Sequence, residues 1–264
     1  MADLSRFELT GKKALVTGAA GGIGKASAIA MAKAGADVAV IDLKEEMGKE
    51  TVEEIKALGR KSLFVSCDVT DTDQVAAMVK RVVDEFGRLD IAHNNAGIAA
   101  GMDIPSIDDE ALAVWKKVLD VDLHSVFFCC REEAKYMIPQ KYGKIVNTAS
   151  MSGTIVNNFP TTASGMVAYC TAKAGVKHLS KSLAMEWVQH NICVNSISPG
   201  YIITPMTQFV VDNPDIMAHE NLTTPMHRQG QPDEMAGGVL YLVSDAASFT
   251  TGCDLIMDGG HTVW

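Results

Sequence analysis

Short apolar runs alternate with longer stretches of helical periodicity along the chain. The runs are Lys13–Thr17, Asp37–Ile41, Ser62–Ser66, Leu89–Ala92, Lys144–Thr148, Ile192–Ile197 and Cys253–Met257. Each has the length of a strand, and most are continuously apolar rather than alternating. That pattern suits strands buried on both faces. Between them, near residues 23–34, 45–58, 72–86, 108–138, 166–189 and 232–244, apolar residues recur at helical spacing. Strand and helix in alternation predict a parallel sheet with helices on both faces. No internal repeat or Pro/Ser-rich linker interrupts the pattern, so residues 1–264 read as one domain. Residues 204–231 break the alternation. They carry Pro205, Pro214 and Pro225, are rich in Met and His, read as irregular, and suit a lid.

Composition narrows the partners. The formal net charge is −9. Nucleic-acid binding, which leaves a basic footprint, is not expected. No apolar run is long enough to cross a bilayer, and no leader of the secretory type opens the sequence, so a cytoplasmic protein without a membrane partner is expected. The six cysteines form no C-x-x-C pair and read as reduced thiols. The seven histidines show no metal-ligand spacing, so no metal site is expected.

The first candidate chemistry lies in "TGAAGGIGKASA", Thr17–Ala28. Gly18, Gly22 and Gly24, with Ile23 between the last two, stand where the first strand turns into the first helix. Glycine lets the backbone turn tightly and lets a phosphate approach the free N–H groups and positive dipole end of the helix. Asp42, about 20 residues further on at the end of the second strand, is placed to take the hydroxyls of an adenosine ribose. A carboxylate there repels a 2′-phosphate, so NAD is expected over NADP. Lys25 and Lys44 are near enough in sequence to soften that repulsion.

A second candidate is Tyr169 with Lys173, in "MVAYCTAKAG". Positions i and i+4 share a helix face. An ammonium about 5 Å from a phenolate is worth roughly 3 kcal/mol at an effective dielectric of about 20, and far less in open water. In a partly buried cleft, therefore, the pair brings a phenol towards neutrality as a general base or acid. On the pair alone, a Tyr and a Lys on a helix surface is the simpler reading.

Further motifs change that balance. They are "NNAG" at Asn94–Gly97, Ser150 after the fifth strand, and "SPGYIITPM" at Ser198–Met206. With the glycine loop and Tyr169/Lys173, this ordered set resembles the short-chain dehydrogenase/reductase family from about residue 9 to the end. The resemblance implies a Rossmann-like, doubly wound seven-stranded parallel sheet and hydride transfer between a nicotinamide and an alcohol or carbonyl. It implies that Tyr169 exchanges the proton, that Ser150 polarises the substrate oxygen, with Ser152 the alternative serine, and that Lys173 also binds the nicotinamide ribose. Asp68 and Val69 should meet the adenine, and Asn95, Ala96 and Gly97 the ribose. Pro199, Gly200, Ile202 and Thr204 should meet the nicotinamide end. Asp122 stands where the family usually has an asparagine in its proton relay, and it is kept with the catalytic set.

"NTASMSGTIVNN" and "DGGHTVW" resemble the polyol dehydrogenase branch, whose members interconvert sugar alcohols and ketoses. Ser152, Asn157 and Asn158 are then candidates for substrate hydroxyls, with Thr161–Ser164 continuing the polar loop. The competing readings are a hydroxysteroid or bile-acid dehydrogenase, a 3-oxoacyl reductase, and a non-catalytic dinucleotide sensor. Apolar residues beyond one sheet-facing stripe, including Val126, Phe127, Phe128, Leu179, Leu183 and Trp187, suggest subunit contacts. The family commonly forms homotetramers. Trp264 is a further candidate for such a contact, while His219 and His227 read as lid-surface residues.

Overall fold

The fold is given by a computed structural model that describes residues 3–100, 104, 106–157 and 166–263. Asn158, the loop at 161–164 and Trp264 lie outside them. Seven parallel strands form one sheet: β1 Lys13–Thr17, β2 Asp37–Asp42, β3 Ser62–Ser66, β4 Ile91–Asn94, β5 Gly143–Thr148, β6 Ile192–Pro199 and β7 Asp254–Met257. Their order is β3-β2-β1-β4-β5-β6-β7, and every neighbouring pair is parallel.

The continuous apolar runs follow from double coverage. In β1, Leu15 faces one core and Ala14 and Val16 face the other. Helices α1 Gly22–Lys33, α2 Glu45–Ala57 and α9 Pro232–Val243 cover the Ala14/Val16 face with Met31, Val52, Ile55 and Val239. Helices α3 Thr72–Phe86, α5 Ser125–Gln140 and α6 Met166–Trp187 cover the other with Val79, Val82, Cys130 and Val176. With both faces shielded, neither set of alternating side chains needs to be polar.

Three features depart from the sequence reading. The fourth strand starts at Ile91 rather than Leu89 and runs on to Asn94. The long helix expected over 108–138 is interrupted. Helix α4, Asp109–Leu119, passes through a π-helical turn at Asp120–His124 before α5. The segment 204–231 is not irregular throughout, for it holds α7 Gln208–Val211 and α8 Pro214–Thr223. Pro214, taken for a breaker, occupies the first turn of α8, where its missing N–H is no loss.

The surplus apolar face is also smaller than expected. Val126, Leu183 and Trp187 belong to the interior core and Phe128 and Leu179 pack against it, whereas Phe127 is exposed. All six cysteines are free thiols. Among the described residues no helix is long and apolar enough to cross a membrane, and no cluster of side chains has the make-up of a metal site.

Candidate active site

In the sheet order, β1 and β4 are neighbours although the chain leaves β1 in one direction and returns to β4 on the other side. A crevice opens beyond the carboxyl ends of the strands at such a switch point. Here it is a cleft of about 900 Å³, towards the upper end of small-molecule sites at about 300–1,000 Å³.

One end of the cleft is backbone. Gly18 and Gly22 have φ of 65° and 53°, which side-chain-bearing residues rarely adopt. Together with Ala20, Gly21 and Ile23 they line the cleft at the start of α1. Gly24 does not line it. A Cβ at Gly24 would stand 2.2 Å from the Gly18 carbonyl oxygen, so this glycine lets the helix pack against its own loop.

The loop is tied to the segment after β4. Thr17 Oγ1 accepts from the N–H groups of Asn95 and Ala96 at 2.9 and 3.0 Å. The Asn95 amide donates to the Thr17 and Gly18 carbonyls at 3.2 and 3.3 Å. That leaves Asn95 Oδ1 as an acceptor, and it takes the Thr148 hydroxyl proton at 3.2 Å. Thr148 Oγ1 must then accept from His93 Nε2, 2.9 Å away. His93 is therefore the Nε2–H tautomer with a bare Nδ1, and burial pushes its pKa down to about 3. Nothing in the sequence pattern marked His93 or Thr148. Thr148 ends one apolar strand run and His93 follows another, and only the pairing of β4 with β5 brings them together.

Asp42 lies on the cleft wall. Its Oδ2 accepts from Ala20 N–H at 2.9 Å and its Oδ1 from Lys44 N–H at 3.0 Å, so the carboxylate also braces the glycine loop. Lys44 lines the cleft, whereas Lys25 is turned away and paired with Glu54 at 2.8 Å. Asp68 and Val69 line the same end, and Asp68 Oδ1 also holds the Thr70 hydroxyl at 2.7 Å. Ala96 and Gly97 continue the wall towards the other end.

There the groups are side chains. Ser150 caps a short 3₁₀ turn, Met151–Gly153, with its Oγ accepting from Ser152 N–H at 3.1 Å. A Cβ at Gly153 would stand 2.7 Å from the Lys173 backbone, so glycine brings this turn against α6. That contact sets Ser150 beside Tyr169, where the serine hydroxyl favours the ionised phenol. Lys173 Nζ lies 5.6 Å from the centre of the Tyr169 ring and donates to the Thr148 carbonyl at 3.1 Å. Ser150, Tyr169 and Lys173 all line the cleft.

Burial pushes the Tyr169 phenol above its usual range. Lys173 draws it down, Asp122 pushes it up and the Ser150 hydroxyl draws it down. The phenol near neutrality expected from sequence is not produced by these side chains alone, because desolvation outweighs the ammonium. Asp122 is itself fully buried and sits behind the wall rather than in it.

Pro199, Gly200, Ile202 and Thr204 line the cleft beyond Tyr169. The lid segment begins against the glycine loop. A Cβ on Gly22 would stand 3.3 Å from the Thr204 Cβ, and one on Gly21 would stand 3.5 Å from the Pro205 ring. Ser152 and Asn157 are not in the wall. The Ser152 hydroxyl donates to Asn157 Oδ1 at 2.5 Å, and the Asn157 amide donates to the Tyr201 hydroxyl at 3.3 Å. Their polar groups are engaged with one another, not presented to the cleft. Met206, which does line it, makes that part of the wall apolar.

The family model described as enoyl-(acyl carrier protein) reductase matches residues 18–262. The chain is 40% identical to the sorbose reductase of Candida albicans over 259 residues, 98% of this chain and 90% of that protein. It is 40% identical over 260 residues to the Yarrowia lipolytica protein named "probable NADP-dependent mannitol dehydrogenase", again 98% and 90% of the two chains. Among solved structures, a short-chain type dehydrogenase/reductase from Mycobacterium marinum is 42% identical. It superposes with a TM-score of 0.90, covering 99% of both chains.

Proposed function

The chain belongs to the short-chain dehydrogenase/reductase family, and from that premise we propose that it interconverts a polyol and a ketose with NAD as the preferred coenzyme. The observation that carries this reading is the single cleft joining the two ends, with Asp42 and the glycine loop at one and Ser150, Tyr169 and Lys173 at the other. The residues fit a dinucleotide. Backbone N–H groups at the start of α1 are free to meet a pyrophosphate, and Asp42 has acceptor capacity beyond its two backbone bonds. When bound, the nicotinamide supplies or accepts the hydride.

The chain's own groups handle the proton and the substrate oxygen. Ser150 donates a hydrogen bond to that oxygen. Tyr169 gives it a proton in carbonyl reduction and takes one in alcohol oxidation. Lys173, held by the Thr148 carbonyl, stabilises the phenolate from α6. Asp42 accepts from ribose hydroxyls and disfavours a 2′-phosphate, while Lys44 on the same wall is the residue that moderates this preference. The lid segment at 204–231 closes over the nicotinamide end. The protein acts in the cytoplasm and self-associates, with exposed Phe127 in the contact; light scattering at micromolar concentration tests the second point.

The deciding experiment is a steady-state comparison of kcat/KM for hexitols, pentitols, their ketoses, a hydroxysteroid and an acyl thioester with both coenzymes. The reading expects a polyol or ketose to lead. A steroid turned over more efficiently than any polyol would replace it with the second reading, a hydroxysteroid dehydrogenase. Met206 in the wall and the inward engagement of Ser152 and Asn157 favour that alternative.

A further inference from the structure

The π-helical turn at Asp120–His124 has one job visible in the structure. Its i→i+5 bond runs from Ser125 N–H to the Asp120 carbonyl, adding a residue to the turn. Such turns are rare and cluster at functional sites. This one carries Asp122 into the protein, where the residue is fully buried. Asp122 Oδ1 accepts from Ile98 N–H at 2.8 Å, and Oδ2 has no hydrogen-bond partner. A Cβ on Gly97 would stand 3.1 Å from Asp122 Oδ1 and 3.3 Å from Lys173 Nζ, so the carboxylate and the ammonium converge on one glycine. An apolar setting has thus been given an acid with a spare oxygen beside the lysine that serves Tyr169.

We propose that Asp122 is a positioning residue acting through Lys173. Its carboxylate shares the ammonium that would otherwise serve the Tyr169 phenolate alone, so Tyr169 keeps its proton at neutral pH and the site runs best there as a carbonyl reductase. This rests on the assignment of Tyr169 as the proton-exchanging group. Reduction adds a hydride from the reduced nicotinamide to the carbonyl carbon and the Tyr169 proton to its oxygen, and water then reprotonates the phenolate. Oxidation needs the phenolate first, and so needs alkaline pH. Among the described residues, the charged or titratable groups acting on Asp122 and Tyr169 are few. Lys173 and Tyr169 face Asp122 from α6, and Cys170 adds to the field at Tyr169. On the π turn itself, Asp120 is paired with His124 at 2.9 Å at the surface. The Gly97–Ile98 backbone and Ser150 bring no charge.

The test compares wild type, Asp122→Asn and Asp122→Glu by two readouts. The first needs no turnover: phenol ionisation followed by ultraviolet difference absorbance, with Tyr169→Phe subtracted to isolate Tyr169. In Asp122→Asn the Tyr169 midpoint should move towards acid by about one pH unit or more, and in Asp122→Glu it should stay near wild type. The second is the pH profile of kcat/KM in both directions. Both limbs should move with the phenol, so that oxidation one unit below the wild-type midpoint gains about fivefold for a one-unit shift. An unmoved phenol midpoint in Asp122→Asn, or activity lowered equally at every pH, overturns the proposal and leaves Asp122 as a brace for Ile98. Should the asparagine variant fail to fold, Asp122→Ser carries the same test: a Tyr169 midpoint moved towards acid supports the proposal, and one left at the wild-type value overturns it. Tyr169→Phe that keeps its activity would instead remove the functional assignment itself, without touching the phenol titration.

Discussion

The two ends of the cleft are built from different materials. The coenzyme end is glycine backbone and buried neutral groups, where Gly18, Thr17, Asn95, Thr148 and His93 are linked by hydrogen bonds. The chemical end is a phenol, an ammonium and a carboxylate packed around Gly97 and Ser150, with an unpartnered oxygen on Asp122. The first end is shaped to hold a fixed object. The second keeps charges out of water, where small displacements change protonation. Substitutions at the second should therefore change rate and pH dependence, and those at the first should change affinity and stability.

The largest effect is expected at the chemical end. Tyr169→Phe should lower kcat by about 10²–10⁴-fold, the usual worth of a general acid–base group, while NADH still quenches tryptophan fluorescence with near wild-type affinity. More than about a tenth of the activity remaining would break the contrast, because Tyr169 would then be no more than a wall.

The next prediction concerns stability at the coenzyme end. His93 is buried and neutral, with its pKa pushed down to about 3. Its folded value lies below the usual 6.5 of a histidine, so it stabilises the fold above pH 6.5, and that contribution is lost as pH falls towards 3. Between pH 6.5 and 5 this one group should remove up to about 2 kcal/mol. Urea unfolding of His93→Gln should show that much less acid sensitivity. Glu133 acts on the other side. Burial raises it from 4.5 to about 8, so its contribution is lost as pH rises from 4.5 through 8. Comparing His93→Gln with wild type at each pH cancels this contribution.

Gly24 tests whether the loop is a packed object. A Cβ there meets main chain, not a flexible side chain. Gly24→Ala should cost about 1–3 kcal/mol of overpacking, read as roughly 5–150-fold weaker coenzyme binding if the loop moves, or as a lowered Tm if it does not. Unchanged values of both would show that the helix start can shift freely.

Much of this was legible in the sequence because it is local or periodic. Strands covered on both faces leave unbroken apolar runs, a strand-to-helix turn leaves glycines, and one helix face carries Tyr169 and Lys173 at i and i+4. What stayed hidden depends on neighbours distant in sequence. His93 looks like a polar residue just past a strand until β4, which includes it, pairs with β5 and sets it against Thr148. Gly24 matches a coenzyme motif, yet its reason is the Gly18 carbonyl. Ser152 and Asn157 have the right chemistry for a sugar, but they satisfy each other and Tyr201. The π turn leaves no mark in a heptad or helical count, which is why residues 108–138 read as one helix. The helices of the 204–231 segment were hidden by prolines that begin elements instead of breaking them.

The smallest expected effect sharpens the comparison most, because Asp42 belongs to both descriptions. It is a charge, like the groups at the chemical end, yet its two oxygens brace backbone at Ala20 and Lys44. If the charge matters, Asp42→Ser, which keeps a small acceptor and removes the repulsion towards a 2′-phosphate, should shift the NAD-to-NADP ratio of kcat/KM towards NADP by at least tenfold, about 1.4 kcal/mol. If the brace matters instead, the same variant should weaken both coenzymes alike and leave the ratio where it was. Lys44→Ala separates the remaining case. Lys44 is the cleft-lining cation beside Asp42, so its loss should lower NADP efficiency without altering that for NAD. A ratio indifferent to both variants would mean that this end of the cleft reads the coenzyme's shape and not its charge.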